Sequence, residues 1–223
     1  MMAALHGSIF SKVFQKKYYQ RAILGSLKIS ATVTLIAVLL ATPLAYIMST
    51  IKIKFASALQ ILILVSSMSA PFIGAYAWIM LCGRNGTITN FLLNTFGIKL
   101  GDIYGFKGCV IVMSLQLYSL VFMFVSGAFK NMDNSLIEAS ESLGCSGIRK
   151  IFKVVLPLIM PTLLSGALMV FMRTFADYGT PMLIGENYNT LPVVVYKEFL
   201  SEIGSSDGMA AAISIIAIVI TTA

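Results

Sequence analysis

Long apolar stretches alternate with short polar intervals along this chain. Four stretches approach or exceed the roughly 20 apolar residues that a helix needs to cross a bilayer, and they cover residues 27–48, 58–81, 109–129 and 158–175. A fifth begins near Met209, but the sequence stops at Ala223, about 15 residues later, so we expect the chain to end inside that helix. The pattern predicts an all-α, polytopic membrane protein with about five transmembrane helices.

Two of these stretches contain proline. Pro43 is expected to bend the last turns of the first helix, and Pro71, with Gly74, to kink the second helix in mid-span. The small residues Ser66, Ser67, Ser69 and Ala70 permit close packing beside this kink. A kinked helix lined by small residues suits a translocation pathway, and simple helix packing is the alternative interpretation.

The polar intervals predict shorter elements at the membrane surface. Residues 1–26 mix aromatic and basic side chains without the continuous apolar run of a signal peptide, so we expect an interfacial, extracytoplasmic segment. The interval 82–107 is rich in Gly, Asn and Thr, and a short helix is predicted over 87–96. The acidic interval 176–207 contains a predicted amphipathic helix over 191–202.

Loop charges give the orientation. If the interval 130–157 is cytoplasmic, alternation places the basic turn with Lys52 and Lys54 inside, as the positive-inside rule expects. The intervals 82–107 and 176–207 are then outside. Residues 1–26 are also outside although they are basic, so we expect a further transmembrane helix to precede the chain and hold them there.

Composition limits the class of protein. The chain has 223 residues, of which 58% are hydrophobic and only 11% charged, with a mean hydropathy of +0.89. Soluble domains carry about 25% charged residues, so residues 1–223 are interpreted as a single membrane domain without an additional soluble domain. The net charge of +7 comes from residues that flank apolar stretches, which favours membrane orientation over nucleic-acid binding.

Few residues offer reactive chemistry. Cys82, Cys109 and Cys145 lack metal-ligand spacing, and free thiols are favoured over a disulfide between Cys82 and Cys109, which stays open. His6 lies far from any carboxylate cluster. No metal site and no constellation with catalytic spacing is expected, so we predict that the chain is not an enzyme.

An energy source is not visible either. No Asp or Glu falls inside the predicted helices, whereas a proton-coupled carrier normally needs an intramembrane carboxylate or histidine. There is no glycine-rich phosphate-binding loop ending in Lys followed by Ser or Thr. We therefore expect a partner protein to supply the energy. A secondary carrier or channel is the alternative from another class.

The interval 130–157 is the element that could receive this energy. Residues 135–143 favour a first short helix, Gly144 permits a turn, and residues 148–155 form a basic second helix that Leu156 and Pro157 close. Two short helices joined at a glycine make a compact knob, which suits a groove on another protein.

The residues of this interval also carry a family resemblance. Glu138-Ala139-Ser140, Gly144, Val154 and Leu156-Pro157 resemble the cytoplasmic coupling loop of binding-protein-dependent ABC importer permeases. That family has Ala where this chain has Ser140, and Ile where it has Val154. Residues 71–86 and 175–199 look like the ferric-iron branch of these permeases, and the resemblance covers most of residues 22–223.

The resemblance implies partners and a location. It implies a multi-pass protein of the bacterial plasma (inner) membrane, two cytoplasmic ABC ATPase subunits, a periplasmic substrate-binding protein and a second permease half, in the same or another chain. No cofactor is expected on this chain, because ATP would bind to the partner subunits. Ferric iron is the first substrate that the resemblance implies, and phosphonate, thiamine, sulfate and polyamines stay open.

It also implies residue roles. The coupling helices would move as rigid bodies with the ATPase dimer, while the membrane helices rock between inward-open and outward-open states. The residues expected to couple to the ATPase are Glu138, Ala139, Ser140, Gly144, Arg149, Leu156 and Pro157. Position alone suggests four candidates for the translocation path: Tyr76, Arg84, Asp177 and Tyr178. The alternative for these residues is a place in the aromatic belt at the membrane interface or a packing role within a loop.

Overall fold

A computed structural model describes most of the chain between Lys17 and Leu200. The described residues are 17–50, 56–67, 70–97, 103–142, 145, 147–186, 188–200, 214–215 and 218.

Helices account for nearly all of this structure, and within these ranges there is no strand. The predicted all-α class is confirmed. The helices are α1 Lys17–Thr50, α2 Ala56–Ser67, α3 Pro71–Cys82, α4 Thr87–Phe96, α5 Gly105–Lys130, α6 Asn134–Ser142, α7 Gly147–Lys150, α8 Leu156–Ala176, α9 Gly179–Ile184 and α10 Leu191–Leu200, with a π-helical turn at Ile151–Val155 between α7 and α8.

Three helical stretches among the described residues are long and apolar enough to cross a membrane. They are Lys17–Thr50, Gly105–Lys130 and Ile151–Ala176, with mean hydropathies of 2.1, 2.1 and 2.2. They correspond to the first, third and fourth predicted transmembrane helices. The last predicted helix, from near Met209, lies almost entirely outside the described residues.

The first helix begins at Lys17 rather than at residue 27. Residues 17–26, predicted as part of a separate interfacial segment, are therefore continuous with it. The reason is a buried stripe at spacings of three and four residues that starts inside this segment with Tyr19, Ala22 and Ser26 and continues through Ile29. At about 1.5 Å per residue, a helix of 34 residues is about 50 Å long, well beyond the hydrocarbon core of about 30 Å.

The predicted second membrane helix is wrong as a single kinked helix. Residues 58–81 instead contribute to two helices of 12 residues each, α2 and α3. Ala70 has extended backbone angles (φ −64°, ψ 141°) and Pro71 opens α3. Proline disfavours helical angles at the residue before it and has no N–H to donate, so this sequence starts a new helix instead of bending an old one.

The chain divides into two compact units. The first comprises Met1–Val33, Ser69–Met113 and Met172–Ala223, and the second Thr34–Met68 and Ser114–Phe171. In the first unit α9 packs against α3 so closely that a Cβ on Gly179 would lie 3.4 Å from the Phe72 ring. In the second, Gly166 of α8 packs against Phe124 of α5 at 3.3 Å by the same measure.

Candidate functional site

The 130–157 segment begins with a capped helix. The backbone N–H of Ser135 donates to Asp133 Oδ1 at 2.9 Å, just before the start of α6. This hydrogen bond holds the pKa of Asp133 below its ordinary value. The predicted first helix over 135–143 is confirmed as α6, Asn134–Ser142.

The predicted coupling residues of α6 lie at its surface. Glu138 and Ala139 are exposed and Ser140 is half-buried. The Ser140 hydroxyl donates to the carbonyl of Ile137 at 2.7 Å, so the extra oxygen relative to alanine is satisfied within its own helix. The Ser140 carbonyl accepts from the N–H of Cys145 at 3.0 Å. Gly144 lies outside the described residues, and its role in the turn stays a prediction.

The second limb of the segment corrects the expected break at Leu156-Pro157. The N–H of Leu156 donates to the carbonyl of Ile151, five residues back, in the π-helical turn that joins α7 to α8. Pro157 is therefore the second residue of α8 and lies in a continuous helix. The wider turn just before it is compatible with the missing proline N–H, because proline at the first turn of a helix costs little.

An ion pair links the two limbs. Lys150 Nζ lies 2.5 Å from Glu141 Oε1, and their side chains are 18% and 51% exposed. The hydrogen bond to Glu141 raises the pKa of Lys150 above its ordinary value. Sequence reasoning missed this pair. Its only signal was opposite charge on either side of a glycine-containing turn, which many loops share.

The second limb of the segment is basic, and both limbs expose an apolar side chain. Phe152 is 65% exposed and Leu136 is 47% exposed. Arg149 and Lys153 are exposed as well. Exposed aromatic and basic side chains on one short segment are typical of a protein contact site.

The four candidate path residues belong to the first unit. Tyr76, on α3, is 59% exposed. Arg84 forms an ion pair with Glu186 at 2.8 Å and lies 4.8 Å from the centre of the Tyr104 ring. These contacts attach the loop after α3 to Glu186, two residues beyond the end of α9, and to Tyr104, just before α5.

Asp177 and Tyr178 sit together at the start of α9. Asp177 Oδ1 accepts from the N–H groups of Gly179 and Thr180 at 2.9 and 3.4 Å, and Oδ2 accepts from the Thr180 hydroxyl at 2.7 Å. Burial nevertheless outweighs these bonds and raises the pKa of Asp177. Tyr178 stacks on Tyr196 at 5.4 Å and meets the Phe72 ring edge-on at 5.1 Å. Both residues thus make packing contacts within their own unit.

All three cysteines are free, with Cys109 buried and Cys82 and Cys145 half-buried. The free thiols favoured by the sequence are therefore what the structure contains.

An all-α membrane fold with this two-helix segment defines a known class of transport protein. Residues 7–223 match the family model described as "Binding-protein-dependent transport system inner membrane component", and the chain belongs to this family. It is an inner-membrane protein.

Particular relatives include a putative ferric transport system permease protein, FbpB 1, of Haemophilus influenzae. It is 26% identical over 186 residues, which are 83% of this chain and 29% of the relative. The spermidine/putrescine transport system permease protein PotB of the same organism is 30% identical over 186 residues, covering 82% of this chain and 65% of the relative. The chain therefore spans less than a third of the ferric permease and about two thirds of the polyamine permease.

Solved structures agree on the fold. A bacterial alginate ABC transporter, in complex with an alginate pentasaccharide-bound periplasmic protein, contains a chain that matches with a TM-score of 0.71. The match covers 96% of this chain and 79% of that chain at 18% identity. At this identity the likeness shows the fold alone.

Proposed function

We propose that this chain forms part or all of the membrane-spanning permease of an ATP-driven ABC importer. The observation that carries the proposal is the two-helix 130–157 segment, which exposes Leu136 and Phe152 together with basic side chains. Cytoplasmic ATPase subunits would bind there. Glu138, Ala139, Ser140, Gly144 and Arg149 are the further residues proposed to contact or shape that interface.

The covalent and polar connections within the segment support the rigid transmission of movement from the ATPase subunits to α8. The Glu141–Lys150 pair joins α6 to α7, and α7 runs through the π-helical turn into α8 without a break. When ATP closes the ATPase dimer, a displacement of α6 and α7 would move α8 with them. Leu156 contributes through its N–H bond to the carbonyl of Ile151, and Pro157 is accommodated in the first turn of α8, so the two residues do not close the segment.

Ferric iron, delivered by a periplasmic binding protein, is the substrate that we propose. The ferric branch resemblance of residues 71–86 and 175–199 and the ferric relative support it. The polyamine relative supports the alternative that the same architecture imports a polyamine. Tyr76, Arg84, Asp177 and Tyr178 remain the proposed path residues, and a second permease half is expected to complete the pathway.

Reconstitution tests the importer proposal. The chain would be produced with the proteins encoded beside its gene and incorporated into liposomes that enclose ATP. We expect a co-purifying ATPase and ATP-dependent uptake of ferric iron delivered by the binding protein. Uptake without ATP or an ATPase would instead identify a secondary carrier or channel. ATP-dependent uptake of spermidine but not iron would replace only the substrate.

A matched pair of variants tests the ATPase contact. Phe152→Ser removes an aromatic side chain that is 65% exposed, and Phe96→Ser removes one on α4 that is 64% exposed. We expect Phe152→Ser to lower ATPase co-purification and Phe96→Ser to leave it unchanged.

A variant at Gly144 tests coupling. The Gly144→Phe protein should still insert into the membrane but should uncouple ATP hydrolysis from uptake. Wild-type uptake in that variant would refute the role assigned to Gly144.

A further inference from the structure

A basic pocket lies beside the N-terminal part of α1. It has a volume of about 440 Å³ and lies entirely in the first unit. Its lining combines two cations, two tyrosines, an amide and an apolar side chain, namely Arg21, Lys28, Tyr18, Tyr188, Asn189 and Leu24.

The two cations are placed to act together. Arg21 and Lys28 are seven residues apart, so they share a face of α1 and are separated by about 10 Å along its axis. Both are exposed. Neither forms an ion pair with a carboxylate in the part of the chain that the structure describes. Lys28 Nζ lies 5.3 Å from the centre of the Phe106 ring, which fixes its position at the pocket wall.

The opposite wall is ordered by hydrogen bonds. The Tyr188 hydroxyl donates to the carbonyl of Gly25 at 2.7 Å, which ties residue 188 to α1 between the two cations. Asn189 Oδ1 accepts from Lys197 Nζ at 2.7 Å, so a third positive charge lies next to the pocket. One carboxylate is also near, because Glu198 accepts from Tyr19 at 2.9 Å and acts electrostatically on Tyr18. The three cations outnumber it, and a positively charged pocket with an ordered wall favours an anionic ligand.

The position and the apolar members indicate which anion. Leu24 shares the face of Arg21 and Lys28 and is 66% exposed, and Tyr18 is 44% exposed. The charged residues of α1 are Lys17, Arg21 and Lys28, and residues 29–50 are uncharged, which places the N-terminal turns at the headgroup level and the rest of the helix in the hydrocarbon core. Basic side chains next to lipid-facing leucine and tyrosine match a phospholipid, with the phosphate at the cations and an acyl chain along the leucine.

We infer that this pocket binds the phosphate headgroup of an anionic membrane lipid. The inference goes beyond the proposed transport function and does not depend on it, because it concerns a lipid held at the surface of the first unit. It also gives a role to part of the basic N-terminal segment that runs against the positive-inside rule.

Lipid binding can be counted directly on the full purified chain. The chain would be placed in nanodiscs of phosphatidylcholine containing increasing fractions of phosphatidylglycerol, and lipids retained after extraction would be counted by native mass spectrometry. Arg21→Gln and Lys28→Gln should each weaken phosphatidylglycerol retention about fivefold, and the double variant about 30-fold. Lys107→Gln, an exposed lysine of α5 outside the pocket, should change it little. Unchanged melting temperatures would show that the variants are folded.

Further arms separate the sources of the anion. Leu24→Gln should weaken phosphatidylglycerol retention, and inorganic phosphate in excess should not displace the lipid. Complete displacement by phosphate, with no effect of Leu24→Gln, would show a free-phosphate site and overturn the inference. So would equal losses in the pocket variants and Lys107→Gln, or equal retention of phosphatidylcholine. Full lipid retention in the double variant, with lost docking of a periplasmic binding protein, would show a protein contact instead.

Discussion

Two aspartates cap short helices in the same way but in different surroundings. Asp133 precedes α6 and accepts from the N–H of Ser135 at 2.9 Å. Asp177 precedes α9 and accepts from the N–H of Gly179, also two residues on, at 2.9 Å. Asp133 is exposed and its pKa is lowered, because the hydrogen bond stabilises the carboxylate. Asp177 is largely enclosed and its pKa is raised, because desolvation outweighs its hydrogen bonds.

The difference extends to the segments that the two aspartates introduce. The 176–200 segment is fastened to distant parts of its own unit. Tyr19 donates to Glu198 at 2.9 Å, and Ser26 Oγ accepts from the N–H of Leu191 at 2.7 Å. In the described part of the 130–157 segment only Lys130, at its start, is shown bonding to a distant residue, donating to Gln60 Oε1 at 3.2 Å, and the other hydrogen bonds, such as Ser140 with Ile137 and Lys150 with Glu141, join residues closer in sequence. The first arrangement stabilises the unit itself, and the second leaves a surface available to another protein.

Removing the Asp177 side chain should cause the largest loss in the free energy of unfolding. Asp177→Ala leaves the N–H of Gly179 and both donors of Thr180 without their acceptor, and these two residues are buried. We expect a loss of about 3 kcal/mol in the free energy of unfolding, measured by denaturant titration in mixed micelles. Asp133→Ala is the matched control and should cost less, because water can replace its carboxylate. Equal losses would show that the surroundings of the two caps do not matter.

The anchor between α1 and α10 should give a smaller loss. Ser26 is fully buried and its hydroxyl oxygen is the acceptor for the N–H of Leu191. Ser26→Ala leaves a buried donor unsatisfied, which should cost about 2 kcal/mol in the same titration. Ser165 is the control, because it is exposed and its hydroxyl donates to the carbonyl of Pro161 within its own helix. If Ser165→Ala were as costly as Ser26→Ala, the anchor would not be the cause.

The sequence predicted those elements whose length and ends are encoded locally. The helix predicted over 87–96 is α4, and α10 matches the predicted amphipathic helix over 191–202 as far as Leu200, the last described residue of that range. Apolar length alone located α5 and α8. Glycine also helps here, since Gly97 ends α4 with a left-handed φ of 65° that other residues rarely adopt.

The elements that were missed depend on contacts between distant residues or on details of helix geometry. The N-terminal extension of α1 rests on the burial of Tyr19, whose partner Glu198 lies far along the chain. Proline signals a disturbance, but the sequence does not decide whether Pro71 bends a helix or begins one. The π-helical turn before Pro157 is a change in hydrogen-bond register without a composition signal.

The hydroxyl of Tyr188 should contribute less than the Ser26 anchor. It donates to the carbonyl of Gly25 from a half-buried position, so water can partly replace it after substitution. Tyr188→Phe should lower the free energy of unfolding by about 1 kcal/mol, measured in the same titration. Tyr118→Phe serves as the control, because its hydroxyl makes no hydrogen bond within the described residues. A comparable loss in both variants would assign the effect to the tyrosine ring environment instead.

The pKa values of the two aspartates are shifted in opposite directions. Their effects on the pH dependence of the free energy of unfolding should therefore have opposite signs, and these effects should be the smallest. The folded-state pKa of Asp177 is raised above the ordinary 3.8, so the folded protein binds its proton more tightly, and stability falls as pH rises from 3.8 through the raised pKa. The folded-state pKa of Asp133 is lowered below 3.8, so its contribution is present above that pH and is lost as pH falls through the lowered pKa. An Asn side chain does not titrate. Subtracting the free energy of unfolding of each Asn variant from that of the wild type at each pH therefore gives the contribution of that aspartate, and its slope against pH is the quantity compared. A negative slope for Asp177 together with a positive slope for Asp133 would show that enclosure within the chain, and not capping itself, distinguishes the two segments. Slopes of the same sign would contradict it.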